Sequence, residues 1–204
     1  SYTDALYGNS MANHISGFSG DDDIYGDNGN DTLNGDDGND TLDGGPGDDV
    51  INGGSGFDVV RFNSDFSSYR FGFDGDNLIV AGPDGTDRLS GIEEIGFGDD
   101  AALPVSSLRA AGLLEEVMVF QNAGNTTRVL PDIYSGPVEW LEYALLGGSA
   151  SEIVIGTSQN DFFNLLGGDD AADGSGGDDV IDGGTGSNFL TGGAGRDDFF
   201  LDGR

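Results

Sequence analysis

An apolar residue recurs every nine positions over much of this chain, with a glycine and an aspartate recurring in phase with it. Near the start, GFSGDDDIY (17–25), GDNGNDTLN (26–34), GDDGNDTLD (35–43), GGPGDDVIN (44–52) and GGSGFDVVR (53–61) run head to tail. Each has Gly at positions 1 and 4, Asp at position 6 and Ile, Leu or Val at position 8. A degenerate unit, GNSMANHIS (8–16), precedes them. The period returns in GGSASEIVI (147–155), GTSQNDFFN (156–164), LLGGDDAAD (165–173), GSGGDDVID (174–182), GGTGSNFLT (183–191) and GGAGRDDFF (192–200). This second array is less regular. Glu152 and Asn188 replace Asp, Leu165 and Leu166 replace the first glycines, and Ala172 is small at position 8.

Such a period predicts a turn over positions 1–6 and a short strand over 7–9, with the residue at 8 pointing inward. Gly at positions 1, 2 and 4 allows positive φ and close backbone approach. Two units make one coil, so units n and n+2 stack on one edge. Ile24, Leu33, Leu42, Ile51 and Val60 are the expected lining of the first array, and Phe163, Ile181, Leu190 and Phe199 that of the second. Between the arrays, residues 68–73 and 77–81 read as a hairpin around Asp74-Gly75-Asp76-Asn77. Residues 104–120 have a helical start, with Leu108, Ala111, Leu114 and Met118 on one face. The alternative there is a strand at 118–120 opening a hairpin toward 128–133. Residues 134–148 read as a strand feeding the second array, with Val138, Trp140 and Leu145 apolar and Trp140 a core or cap residue. The expected fold is mostly β: two parallel β-roll arrays (1–61 and 147–204) joined by a small α+β capping segment (62–146). Both ends read as cuts from something longer.

Composition changes what this fold requires. The chain of 204 residues has 38 acidic side chains against 7 basic ones, a formal net charge of −31. Excess charge of one sign normally signals disorder. Here the acids are periodic and interleaved with apolar positions, which points to a fold that waits for cations. The acidity argues against nucleic acid and anionic membranes as partners, since both require a basic surface. No apolar run is long enough to span a membrane, and there is no cysteine for disulfides.

Stacking places the position-6 carboxylates of units n and n+2 across one gap, with turn carbonyls beside them. An all-oxygen, flexible cage suits Ca²⁺ better than Mg²⁺, which holds a tighter octahedron and keeps its waters. Without metal the stacked carboxylates repel, so ion binding supplies folding free energy. Acids at positions 5, 7 and 9 (Asp21, Asp23, Asp43, Asp48, Asp173, Asp182) read as solvated surface.

The repeats resemble the RTX (repeats-in-toxin) family of Gram-negative bacteria, over residues 8–61 and 147–200. The resemblance implies that each ion takes carbonyls at positions 2 and 4 and the Asp of one unit. It adds carbonyls at 1 and 3 and the Asp of the unit after next. One site would then join Asp27, Gly29 and Asp31 to Gly44, Pro46 and Asp49. Others would pair Asp22 with Asp40, Asp40 with Asp58, Asp161 with Asp179, Asp179 with Asp197, and Asp170 with Asn188, where a neutral amide binds Ca²⁺ less well. The position-4 carbonyls of Gly20, Gly38 and Gly177 would join them, for roughly five or six ions in all. DGTDRLSGIEEIGFGDD (84–100) resembles a stretch that follows such arrays and covers the open end of the roll, with Leu89, Ile92, Ile95 and Phe97 packed. Asp84, Asp87 and Asp99 in it read as surface turn residues, with extra Ca²⁺ as the alternative. The resemblance further implies secretion and type I export, the chain passing out unfolded and folding in external calcium.

No catalytic constellation accompanies these repeats. His14, the sole histidine, falls at an outward strand position. There is no HExxH helix, no GxSxG elbow and no cysteine nucleophile. The paired acids Glu93–Glu94 and Glu115–Glu116 are adjacent and point apart. The expectation is a calcium-dependent folding and secretion module of a larger exoprotein, not an enzyme in itself. The alternatives are an adhesin or surface-layer module, with a glycan or cell-surface partner, and the accessory roll of a polysaccharide-modifying enzyme or other hydrolase.

Overall fold

The structure is a computed structural model, and it describes residues 2–98, 102–111, 114–115, 117–122 and 125–200. It is mostly β, a solenoid of stacked coils with a single short α-helix among the described residues. The chain forms two compact units, Ser1–Glu115 and Glu116–Arg204. Residues 62–98, 102–111 and 114–115 therefore belong to the unit of the first roll, and residues 117–122 and 125–146 to that of the second.

In the first unit the three-residue pulses of each repeat become strands: β1 (Ala5–Tyr7), β2 (His14–Ser16), β3 (Asp23–Tyr25), β4 (Thr32–Asp37), β5 (Thr41–Asp43), β6 (Val50–Ser55) and β7 (Val59–Phe62). Odd strands pair in parallel in one sheet and even strands in another. The register is that of two repeats per coil: Leu6, Ile24, Leu42 and Val60 stack in one sheet, Ile15, Leu33 and Ile51 in the other. Ile24, Leu33, Leu42, Ile51 and Val60 are fully buried, and burying a side chain of this size contributes about 1.5–3 kcal/mol.

The chain then leaves the roll and returns to it. After β7 come β8 (Arg70–Asp74) and β9 (Asn77–Gly82), an antiparallel hairpin turning at Gly75, whose φ is +62°. Next, β10 (Gly85–Ser90) pairs with β9 on one side and lies parallel to β6 on the other, with Leu89 opposite Ile51. β11 (Glu94–Phe97) lies parallel to β7, with Ile95 opposite Val60. The stretch expected only to cover the roll thus supplies one more coil of it. Phe62, Phe66, Tyr69, Phe71 and Phe97 form an aromatic cluster beside that coil, with ring centroids 5.0–5.8 Å apart. β12 (Leu103–Pro104), α1 (Val105–Ala111) and β13 (Leu114–Glu115) complete the unit, and Arg70 pairs with Glu115.

The second unit opens with β14 (Met118–Asn122) and β15 (Asn125–Val129), an antiparallel hairpin, followed by β16 (Asp132–Ile133) and β17 (Tyr143–Leu146). The helical start is found at Val105–Ala111, and Met118–Asn122, with Met118 buried, is a strand opening a hairpin, the alternative held open for 118–120. Six repeat strands follow: β18 (Glu152–Ile155), β19 (Asp161–Asn164), β20 (Ala171–Asp173), β21 (Val180–Asp182), β22 (Phe189–Thr191) and β23 (Asp198–Phe200). Leu145, Phe163, Ile181 and Phe199 stack in one sheet; Phe120, Val154, Ala172 and Leu190 stack in the other. Phe199, expected in the lining, is 42% exposed, because no described coil lies over it; of the two places expected for Trp140, core or cap, its 45% exposure excludes the core.

Candidate metal centre

Each gap between coils is built from the same hydrogen bonds. The N–H of Asp31 donates to Oδ1 of Asp49 at 2.7 Å, that of Asp22 to Asp40 at 2.8 Å, and that of Asp40 to Asp58 at 2.9 Å. The same ladder joins Asp161 to Asp179 at 2.8 Å, Asp179 to Asp197 at 3.1 Å and Asp170 to Asn188 at 2.9 Å. All the sequence-predicted position-6 pairs therefore meet. One oxygen of each carboxylate is thereby used in folding.

The other oxygen is the unusual one. Oδ2 of Asp22, Asp31, Asp40, Asp49, Asp58, Asp170 and Asp179 is buried and has no hydrogen-bond partner. A buried, unpartnered carboxylate oxygen is costly unless a cation meets it. The position-1 glycine shows where these oxygens point. A Cβ added to Gly26 would stand 2.5 Å from Oδ2 of Asp31 and 2.5 Å from the carbonyl oxygen of Gly44. A carboxylate of one coil and a carbonyl of the next thus converge on space that only glycine leaves open. Position-1 glycines do not take positive φ; close approach is what selects them.

Positive φ falls instead at positions 2 and 4, and even non-glycine residues at position 2 adopt it, as in Asp27 at +73° and Ser175 at +72°. This twist turns position-2 and position-4 carbonyls toward the next coil. Asp27 O abuts Gly45 and Gly29 O abuts Gly47; Gly20 O, Gly38 O and Gly177 O abut Gly38, Gly56 and Gly195. Pro46 O accepts the Gly29 N–H at 2.9 Å, and a carbonyl keeps a second lone pair. Pro46 has no N–H to spend on Asp27 O, whereas in the adjacent column Asp37 N–H donates to Phe18 O at 3.0 Å. Asp27, Gly29, Asp31, Gly44, Pro46 and Asp49 therefore border one gap. No group of three or more His, Cys, Asp or Glu side chains converges among the described residues; the donors are carboxylate pairs and main-chain oxygens, the set a hard cation takes.

Charge crowds these gaps. Burial pushes the Asp49 carboxyl up to about 6; the Asp31 N–H pulls it down and the Asp31, Asp48 and Asp43 charges add to the rise. Burial likewise pushes Asp179 to about 7, opposed by the Asp161 N–H and reinforced by Asp161, Asp197 and Asp178. Asp40 and Asp58 are raised for the same reason.

Three positions depart from the pattern. Thr157, at position 2, donates its N–H to Oδ2 of Asp161 at 2.8 Å, so that oxygen has a partner within its own unit. Leu165, at position 1, is fully buried in the core, where Ala172 of the same repeat is small. The Asn188 amide donates to Gly183 O at 2.6 Å, placing a donor where other repeats present an oxygen. The Asp170–Asn188 gap is therefore the poorest fit for an ion among the expected pairs.

Several acids assigned to solvated surface have structural jobs. Position-5 side chains form a second ladder: Asp21 accepts from Asn39 N–H at 2.9 Å and Asp48 from Thr86 N–H at 2.8 Å. Position-9 carboxylates cap the next turn, Asp43 accepting from Gly45 N–H, Asp173 from Ser175 and Asp182 from Gly184, each at 3.0 Å. Asp23 is exposed as expected. Sequence reasoning missed Glu93 and read Asp87 as a surface turn residue, with extra Ca²⁺ as the alternative; both occupy position-6 places in the returning coil. Asp49 N–H donates to Asp87 Oδ1 at 2.9 Å and Asp58 N–H to Glu93 Oε2 at 2.8 Å. Asp87 is buried, not a surface turn residue. Asp99 and Glu116 lie outside the described residues.

Residues 1–33, 25–60, 146–181 and 173–203, more than half of the chain, match the RTX calcium-binding nonapeptide repeat in four copies. The chain belongs to the RTX repeat family. RTX repeats bind calcium, in keeping with the oxygen-only gaps. Among solved structures, the extracellular lipase LipA from Serratia marcescens aligns with 96% of this chain at 18% identity and a TM-score of 0.30. The RTX chain spans 28% of that lipase's length. No curated sequence matches it.

Proposed function

We propose that this chain is a calcium-binding module of a larger secreted bacterial RTX protein, folding on Ca²⁺ outside the cell and supporting type I export and stability. On this reading it carries two β-roll arrays with a small α+β segment between them and is not itself catalytic. The observation that carries the reading is the repeated buried Oδ2 without a partner, from Asp22 to Asp58 and again at Asp179.

Asp31 and Asp49, with main-chain oxygens of Asp27, Gly29, Gly44 and Pro46, are the best-formed ion-holding set. The Asp22–Asp40, Asp40–Asp58, Asp161–Asp179 and Asp179–Asp197 pairs follow it. Bound calcium would supply the positive charge that the crowded carboxylates lack. The rest is the chain's own work: the strands hold register, the glycines keep the gaps open, and the N–H ladder orients each carboxylate. A chain of net charge −31 without that compensation resists compaction, which suits passage through an export channel before folding. The test is far-UV circular dichroism in EDTA and during a calcium titration, repeated in excess Mg²⁺. The expected result is a cooperative rise in β signal that calcium produces and magnesium does not. Identical spectra with EDTA and with calcium would overturn the reading.

A further inference from the structure

The returning coil contains a repeat outside the residues matched to the family. Residues 82–90 read GPDGTDRLS, with Gly at 1 and 4, Asp at 6 and Leu at 8, displaced from the first array by the inserted hairpin. Its contacts reproduce those of the regular gap between the units at 26–34 and 44–52. Asp49 N–H donates to Asp87 Oδ1 at 2.9 Å, as Asp31 N–H does to Asp49 at 2.7 Å. Gly47 N–H donates to Asp84 O at 2.7 Å, as Gly29 N–H does to Pro46 O at 2.9 Å. Arg88 N–H donates to Asp49 O at 2.8 Å, as Val50 N–H does to Asp31 O at 2.9 Å. Gly85 has φ +135°, between those of Gly29 and Gly47, and abuts Gly47 O.

One feature of this gap points to a ligand, and a second shows how the insertion holds the turn beside it. Asp49 is 1% exposed and Asp87 2%, and Oδ2 of Asp49 has no partner. Tyr69, from the aromatic cluster of the insertion, donates its hydroxyl to Oδ2 of Asp84 and so braces the turn that lines the gap. Pro83 stands at position 2, where regular repeats need positive φ. The carbonyl at that position serves the following gap, so the last coil tolerates proline there.

We propose that Asp49 and Asp87, with the main-chain oxygens of Gly47 and Asp84, form a further calcium site that closes across the insertion. It rests on the calcium-module reading and adds to it. The carboxylates are 38 residues apart where regular ladder partners are 18 apart. Calcium here locks the hairpin and its aromatic cluster to the roll, so the ordering of a metal-free element becomes calcium-dependent.

The experiment uses the full chain and Asp87→Asn. The amide keeps Oδ1 to accept the Asp49 N–H, so the β10 ladder survives while the second carboxylate is lost. Native mass spectrometry at saturating calcium should count one ion fewer in Asp87→Asn than in the parent chain. A second measurement covers failure of that variant to fold: Tb³⁺ emission sensitised by tyrosine, which Tyr69→Phe should reduce. An unchanged ion count in a folded Asp87→Asn, or Tb³⁺ emission unchanged in Tyr69→Phe, overturns the site and leaves the module reading intact. A parent chain that binds no calcium overturns the module reading itself.

Discussion

Gly26→Ala tests the gap geometry with a single methyl group. The backbone at Gly26 is outside the left-handed region, so alanine adds no conformational strain there. The methyl would stand 2.5 Å from both Oδ2 of Asp31 and O of Gly44, where side-chain carbons keep at least about 3.0 Å. Each oxygen must then retreat by roughly 0.5 Å, a forced displacement of the kind that overpacking makes cost about 1–3 kcal/mol. Calcium coordination tolerates a spread of only about 2.3–2.6 Å in its oxygen distances, so the displacement falls on the bound state. The expected result is a rise of about 5- to 150-fold in the calcium concentration at half-maximal folding, taking about 1.4 kcal/mol per factor of ten. Gly75→Ala is the control. Nothing lies within 4 Å of the new methyl, but φ is +62°, so alanine costs about 1–2 kcal/mol of backbone strain in a hairpin turn away from the gaps. Calcium titrations followed by circular dichroism compare the two, alongside thermal unfolding at saturating calcium. If Gly26→Ala titrates like the parent chain, the space beside position 1 holds no ion and the argument from the gap fails.

Asp40→Asn should weaken calcium-dependent folding at least about tenfold, because Asp40 borders the gaps toward Asp22 and Asp58 and each tenfold corresponds to about 1.4 kcal/mol. Asp23→Asn, which removes the same charge from an exposed site, should leave the midpoint nearly unchanged; equal shifts would mean that bulk acidity is what calcium reads. The pH dependence follows from the raised carboxyls. Asp49, Asp179 and Asp87, at about 6, 7 and 8 in the fold, hold protons that the unfolded chain at about 3.8 releases. Metal-free stability is therefore fullest below about pH 4 and is lost as pH rises through about 6 to 8. In EDTA, β signal should be greater at pH 5 than at pH 8. Calcium binding near pH 6.5 should release protons, seen as titration heats that differ between buffers of different ionisation enthalpy, and buffer-independent heats would refute this.

The parts of the fold written in a strict period were legible in the sequence. The inward position 8, the strand at 7–9 and the facing Asp pairs need only spacing and the alternation of a strand. What was hidden was whatever broke the phase. GPDGTDRLS has every signature residue, but the inserted hairpin moves it out of register with the array, so the eye takes it up at Asp84 as a different motif. Compensation was hidden too. Leu165 and Ala172 read as two separate lapses, yet one fills the core where the other is small. Acids at positions 5 and 9 looked like solvated surface because a single carboxylate carries no sign of which main-chain N–H lies above it. Helix and strand stayed open at 118–120 because its apolar residues suit either, and pairing of Met118–Asn122 with Asn125–Val129 and Glu152–Ile155 decided for the strand.

The returning coil also bears on how such a chain can grow. Coils on either side of the insertion meet as though it were not there, because stacking asks only that a turn and a three-residue strand arrive at the right height. The molecule counts layers and is indifferent to the contour length spent between them. The corner after Phe62 is therefore a natural grafting point, where a foreign loop or small domain can be spliced in while the rungs above and below stay aligned. New surface placed there leaves the spine undisturbed, and a census of repeats by fixed spacing undercounts the rungs of a roll built this way.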